Sequence, residues 1–223
     1  MFSKPNTDPT KKSRLLGELG APKVNSKATY PKGAKIFGEA EPVDYIYQVV
    51  EGAVRSHKLL SDGRRQIGAF HLPGDIFGLE NGDFHRFTAE AIADTTLRIV
   101  KRQSLERVAK TDPAMVRTLL TMTSDNLQHV ENHMLLLGRK TSQERVAAFL
   151  LEMNSRLTAP GGMALPMSRR DIADYLGLTI ETVSRALSEF KRKGYLKFRR
   201  RAGSTTSRSV RERQMRARQE LRG

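Results

Sequence analysis

The chain contains no cysteine. Disulfides, thiol redox switches and cysteine-ligated clusters are therefore excluded from its chemistry. Long apolar runs are also missing: the longest, Val146 to Leu151, has six residues. A membrane-spanning helix needs about 18, so no membrane partner is expected. No apolar signal segment stands at the N-terminus, which makes the cytoplasm the expected compartment. Acidic residues are in deficit, with 24 Asp and Glu against 39 Lys and Arg and a formal net charge of +15. That balance suits a polyanionic partner, and taken alone it fits RNA or an anionic membrane as well as DNA.

Metal-ligand spacing is lacking too. His57, His71 and His85 form no recognisable ligand cluster. His129 and His133 are spaced i, i+4 with Glu131 between them, but a zinc-protease helix needs Glu directly after the first His, and a third ligand. They read as solvated or interface histidines flanking Val130. No metal and no cofactor are expected, and a cupin-type metalloenzyme is the rival from the enzyme class. A non-specific nucleic-acid coat is the rival suggested by charge; it predicts equal affinity for scrambled DNA and a steep salt dependence.

What is present is most informative between Ser168 and Gly194. Ser168 followed by Asp171 is a capping box. Ile172, Ala173 and Leu176 follow at helical spacing, and Gly177 ends the helix where positive φ is required. Thr179 is a candidate N-cap for a second helix with Val183, Leu187 and Phe190 on its buried face. Glu181, Ser184 and Arg185 fall on the opposite side near its N-terminal end. Two short helices joined by such a turn place the second in the major groove of double-stranded DNA. Arg offers two donors to guanine, Glu accepts from the cytosine amino group, and Ser does either. Ile180 and Thr182 are placed to touch thymine methyls or backbone, and Arg169, Arg170, Lys191 and Lys193 are candidate phosphate contacts.

The 223 residues allow one or two domains. Residues 1–28 are polar, Lys-rich and broken by prolines, and read as a flexible arm with a short helix at Ser13 to Leu19. From Tyr30 to Lys101, short strands alternate with turn signals. Asp62-Gly63 marks a hairpin between VRSHKLL and RQIGAFHL, and Pro73-Gly74-Asp75 and Asn81-Gly82-Asp83 mark two more reversals, the pattern of a small barrel. After Asp112-Pro113, Val116, Leu120, Thr123, Leu127, Val130, Met134 and Leu137 alternate in steps of four and three. That heptad seam predicts helices paired lengthwise or one helix packed on its own barrel. Gly138 is expected to interrupt this helix as a hinge. Thr141 with Glu144 caps the next, whose apolar face is Val146, Phe149 and Leu150.

The segment DIADYLGLTIETVSRAL closely resembles the helix-turn-helix of the CRP/FNR superfamily, in particular its FixK branch. The similarity extends through GAVRSHKLLSDGRRQIGAFHLPGDIFGLE and HMLLLGRKTSQERVAAFLLEM, covering roughly Tyr30 to Leu196. The family's base-reading pattern falls on Glu181, Ser184 and Arg185. The resemblance implies an α+β protein: an N-terminal double-stranded β-helix like that of cyclic-nucleotide-binding domains, a long dimerisation helix and a C-terminal winged helix-turn-helix domain. It implies a homodimer on a TTGA…TCAA palindrome that recruits RNA polymerase, in low-oxygen respiration and nitrogen metabolism, nitrogen fixation included. The expected divisions are 29–110 for the β-roll, 111–138 for the dimerisation helix carrying Val116, Leu120, Leu127, Val130, Met134 and Leu137, 139–200 for the DNA-binding domain and 201–223 for a basic tail.

Two departures qualify the resemblance. Nucleotide-responsive relatives carry Gly-Glu and then Arg followed by Ser or Thr; here Glu80 is displaced by one residue in Gly78-Leu79-Glu80, and Phe87 intrudes in Arg86-Phe87-Thr88. A barrel without a small-molecule effector is expected, with a cyclic-nucleotide-responsive regulator as the alternative. Where relatives continue into a β-hairpin wing, the stretch from Lys197 onward is nearly free of apolar residues. Residues 194–223 hold ten Lys and Arg against two Asp and Glu. At Ser168, a Cys would be a redox switch beside the DNA; Ser keeps the cap without the thiol.

Overall fold

A computed structural model describes residues 25–80, 82–157 and 163–196. Of the arm expected at residues 1–28, residues 1–24 lie outside the described residues, as do the turn residue Asn81 and the stretch of the wing and basic tail beyond residue 196; residues 25–28 are not an arm but strand, paired with Val100 to Leu97. The chain divides into two compact units, Met1–Ala186 and Leu187–Gly223. The first opens with eight strands: β1 (Asn25–Tyr30), β2 (Lys35–Phe37), β3 (Tyr45–Glu51), β4 (Val54–Leu59), β5 (Arg65–His71), β6 (Ile76–Phe77), β7 (Thr88–Ala91) and β8 (Thr95–Lys101). They form two antiparallel four-stranded sheets, ordered β1-β8-β3-β6 and β2-β7-β4-β5.

The turns form where the sequence marks them. β4 and β5 pair as a hairpin about Asp62-Gly63, with Gly63 at φ 80° and the Asp62 carboxylate accepting from the Arg64 amide at 3.0 Å. At Pro73-Gly74-Asp75, Gly74 has φ 93° and the Asp75 carboxylate accepts from the Leu72 amide at 2.8 Å. Alternation then sorts the strand side chains. Phe37, Val54 and Ala89 of one sheet meet Tyr47, Val49, Phe77 and Leu97 of the other. On the outer face, Ile46 and Val100 pack against Leu105 and Met115 from the helices that follow.

Five helices complete the described chain: α1 (Arg102–Thr111), α2 (Pro113–Arg139), α3 (Ser142–Leu157), α4 (Arg169–Leu176) and α5 (Ile180–Arg192). α1 has no counterpart among the elements expected from the sequence. It continues directly from β8, and its N-cap Lys101 makes no side-chain cap bond, so no start signal marks it. α2 begins as expected, with Pro113 in its first turn and the Asp112 carboxylate accepting from the Ala114 amide. Its other end differs: the helix passes through Gly138 and stops at Arg139, where Lys140 turns extended. A lone glycine lowers helix propensity by about 1 kcal/mol, which a 27-residue helix tolerates. Thr141 and Glu144 then form the expected cap, each bonding the other's amide.

In the second unit, the end of α5 is closed by Gly194 at φ 78°, with the Tyr195 amide donating to the Phe190 carbonyl at 2.9 Å.

Candidate DNA interface

The helix pair at residues 168–192 forms as its local signals dictate. The Ser168 hydroxyl accepts from the Asp171 amide, and the Asp171 carboxylate accepts from the Ser168 amide, so both halves of the capping box are present. Gly177 takes the left-handed conformation, φ 61°, and turns the chain. Thr179 accepts from the Thr182 amide at 3.2 Å, which starts α5. Ile172, Ala173, Leu176, Val183 and Leu187 are buried, and Phe190 is half-buried.

That burial fixes what α5 presents. Glu181 and Arg185 are exposed and one helical turn apart; Thr182 and Ser184 are partly exposed, and Ile180 stands open at the first turn. The face therefore combines an acceptor, a guanidinium fork, hydroxyls and a branched apolar group, at the end of the helix whose free amides favour negative charge. Arg169 and Arg170 are exposed at the start of α4, and Arg169 Nη1 donates to Ser184 Oγ at 3.4 Å. Lys191 is exposed, while the Lys193 ammonium pairs with Glu189 Oε1 at 2.9 Å. Of the two, Lys191 has the freer charge.

What holds α4 in place was not visible in the sequence. Arg55 of β4 and Arg65 of β5 both donate to Asp171 Oδ1, at 2.5 and 2.8 Å, and Arg65 Nε donates to Asp174 Oδ2 at 2.8 Å. Burial opposes the charge on Asp171. The Ser168 hydrogen bonds and the two guanidinium groups outweigh it and hold the carboxyl below the usual carboxylate range. Tyr175 is buried with its ring against Phe70 at 5.1 Å, Phe149 at 5.8 Å and His133 at 4.1 Å. Arg145 donates to the carbonyls of Leu137, Lys140 and Leu176, satisfying the open C-terminal ends of α2 and α4 together.

His129 and His133 are corrected by this arrangement. His133 is turned inward, while the His129 side chain stays 37% exposed. His133 stacks beneath Tyr175, and His129 Nε2 lies 3.4 Å from the Tyr175 hydroxyl. No group of three His, Asp or Glu among the described residues stands where it could hold a metal ion.

The long helix bears a stripe that no described residue covers: Leu120 is 63% exposed, Leu127 58%, Val130 60% and Met134 64%. Val116 is exposed as well, whereas Leu137 is half-buried, its side chain near Gly177. Several rings stack within the β domain. Phe37 stacks on His85 at 3.5 Å, Tyr47 on Phe77 at 5.2 Å, and His71 on Phe77 at 4.6 Å. Glu80 is engaged internally, accepting from His85 Nδ1 at 2.6 Å and from the Arg86 amide at 3.2 Å. Phe87 lies against Gly68 of β5.

Comparison with known proteins gives a consistent placement. The cyclic nucleotide-binding domain family matches residues 27–112, and the Crp-like helix-turn-helix domain family matches residues 144–209. The nitrogen fixation regulation protein FixK of Rhizobium meliloti is 45% identical over 172 residues, spanning 77% of this chain and 78% of the relative. The transcriptional activator protein FnrA of Stutzerimonas stutzeri is 34% identical over 171 residues, 74% of this chain and 70% of its own length. Among solved structures, FixK2 from Bradyrhizobium japonicum superposes with a TM-score of 0.77 at 63% identity, covering 81% of this chain and 90% of that one.

Proposed function

The chain belongs to the CRP/FNR family of transcription regulators, and from that premise we propose that it activates transcription as a homodimer on a TTGA…TCAA-type palindrome. It recruits RNA polymerase there and works without a bound small-molecule effector. The relatives that are nitrogen fixation regulators and transcriptional activators favour target genes of low-oxygen respiration or nitrogen fixation.

One observation carries the reading: the exposed first turns of α5 gather Glu181, Ser184 and Arg185 on a single face, flanked by Ile180 and Thr182. Arg185 reads guanine, Glu181 reads a cytosine or adenine amino group, and Ser184 adds a base or phosphate contact. Arg169, Arg170, Lys191 and Lys193 position the protein on phosphates without specifying sequence, Lys193 the least of them because Glu189 already holds it. Burying the exposed α2 stripe of Val116, Leu120, Leu127, Val130, Met134 and Leu137 against a second copy supplies the two-fold that a palindrome requires. In this layout the divisions are 29–110 for the β-roll, 111–138 for the dimerisation helix and 139–200 for the DNA-binding domain, with β1 carrying the roll back to Asn25 and α2 running on to Arg139. The stacked rings and the internally satisfied Glu80 support activity without an effector, because a ligand would first have to displace both.

In vitro selection from random duplex DNA tests the proposal. Enrichment of an inverted repeat with half-sites about one helical turn apart is expected. Enrichment of an asymmetric site, or of none, rejects it. A melting temperature raised by cyclic nucleotide would reject the effector-free part alone.

A further inference from the structure

The Asp171 carboxylate faces two ways. Its Oδ2 accepts from the Ser168 amide at 2.9 Å and hydroxyl at 2.6 Å, closing the cap of α4. Its Oδ1 accepts from Arg55 and Arg65 on the β4–β5 hairpin. Arg55 is held from behind by Glu90 of β7 at 2.8 Å, and Arg65 also binds Asp174 one turn along α4. These side chains are 6–24% exposed, so the pairs lie largely out of water. A buried ion network of this kind adds little net stability over an apolar replacement, and its better-attested use is to fix one register.

The geometry points to Arg55 and Arg65 as positioning residues for DNA reading: the barrel's hairpin holds α4 at a set angle and so determines where α5 meets the groove. The inference rests on α5 being the reading helix of a dimer. α4 and α5 are joined by three residues, Gly177 to Thr179, and by the Arg169–Ser184 hydrogen bond, so displacement of α4 carries the start of α5 with it. In a symmetric dimer, the two reading helices must stand about 34 Å apart. Loosening the latch leaves the packing of Tyr175 on Phe70 as the remaining hold of the barrel on α4 and widens the range of angles each reading head adopts. The affinity of one head for one half-site survives, while the preference for one half-site spacing is lost.

The test uses the full chain with the selected palindrome, the same palindrome with its half-sites moved one base pair closer or farther, and a duplex bearing one half-site. The variants are Arg65→Asp, Asp174→Arg and the double exchange; Asp174→Asn, nearly isosteric, gives the same readout if a charge-reversed chain does not remain dimeric. Wild-type protein is expected to prefer the selected spacing by at least about tenfold. Each single variant flattens that preference while keeping half-site affinity, and the double exchange restores it in part, because the exchanged pair re-forms across positions 65 and 174 but no longer binds Asp171. Single variants that retain the wild-type spacing preference, or that lose half-site and palindrome affinity in parallel, overturn the positioning role. A wild-type protein that prefers no sequence refutes instead the reading of α5.

Discussion

Tyr175 of α4 stacks on His133 of α2, their ring centroids 4.1 Å apart and their planes 27° from parallel. The contact joins the first helix of the DNA-reading pair to the long helix, and it places a phenol and an imidazole together where water is excluded. Tyr175 is 2% exposed and also meets Phe70 from β5 and Phe149 from α3. One side chain thus ties α4 to a strand and two helices.

Removing that ring should cost more than any other change in α4. Tyr175→Ala is expected to destabilise the protein by about 3–5 kcal/mol through lost packing and the cavity left behind. Tyr175→Phe, which removes only the hydroxyl near His129, should cost about 1 kcal/mol or less. Urea midpoints for the two variants check this. A Phe variant as unstable as the Ala variant would mean that the hydroxyl, not the ring, holds the helix.

Acid should weaken the same region. Burial pushes His71 and His133 down to about 4 from an ordinary 6.5, so both are neutral in the folded protein. Between those values the unfolded chain binds protons that the folded chain refuses. The stability present above pH 6.5 is therefore lost as pH falls toward 4. Asp171, held below its ordinary value, loses its contribution at still lower pH, in the same direction. Urea midpoints at pH 7 and pH 4.5 should fall markedly for the wild type and less for His133→Phe, which keeps the stack and cannot titrate. Equal losses in both proteins would place the sensitivity elsewhere.

Leu127→Glu separates assembly from folding. Leu127 is 58% exposed in the single chain, so the substitution should change monomer stability by only about 0.5 kcal/mol. A buried carboxylate in the seam of the proposed dimer is a different matter, and sedimentation should show monomers at concentrations where the wild type is dimeric. A variant that stays dimeric would remove this face of α2 from the interface.

Arg185→Ala should cost about 1–3 kcal/mol of DNA affinity and relax specificity at one base pair. Binding to a panel of single base-pair variants of the selected site distinguishes a base contact from a phosphate contact. Uniform weakening across the panel would assign Arg185 to the backbone.

Much of the fold was legible because its signals are local. Capping pairs three residues apart, Ser168 with Asp171 and Thr141 with Glu144, and the glycines at positive φ, Gly63, Gly74 and Gly177, appear where backbone sterics and unpaired amides require them. α1 carries no local mark in the sequence because it starts without a side-chain cap. Gly138 misled because the intrinsic cost of a glycine is small beside the cooperativity of a long helix. The two helix histidines misled because spacing gives the face a side chain occupies, not what lies opposite it.

Local sequence specifies the helix pair, its caps, the chemistry of its exposed face and the apolar stripe of the long helix, since each depends on residues within one or two turns of one another. Tertiary structure alone decided which groups hold that pair. The bond between Arg55 and Asp171 joins positions 116 residues apart, and that between Arg65 and Asp174 joins positions 109 apart. It also decided that the α2 stripe faces outward rather than onto the chain's own barrel. Periodicity makes a face apolar, but only the path of the whole chain settles what, if anything, covers it.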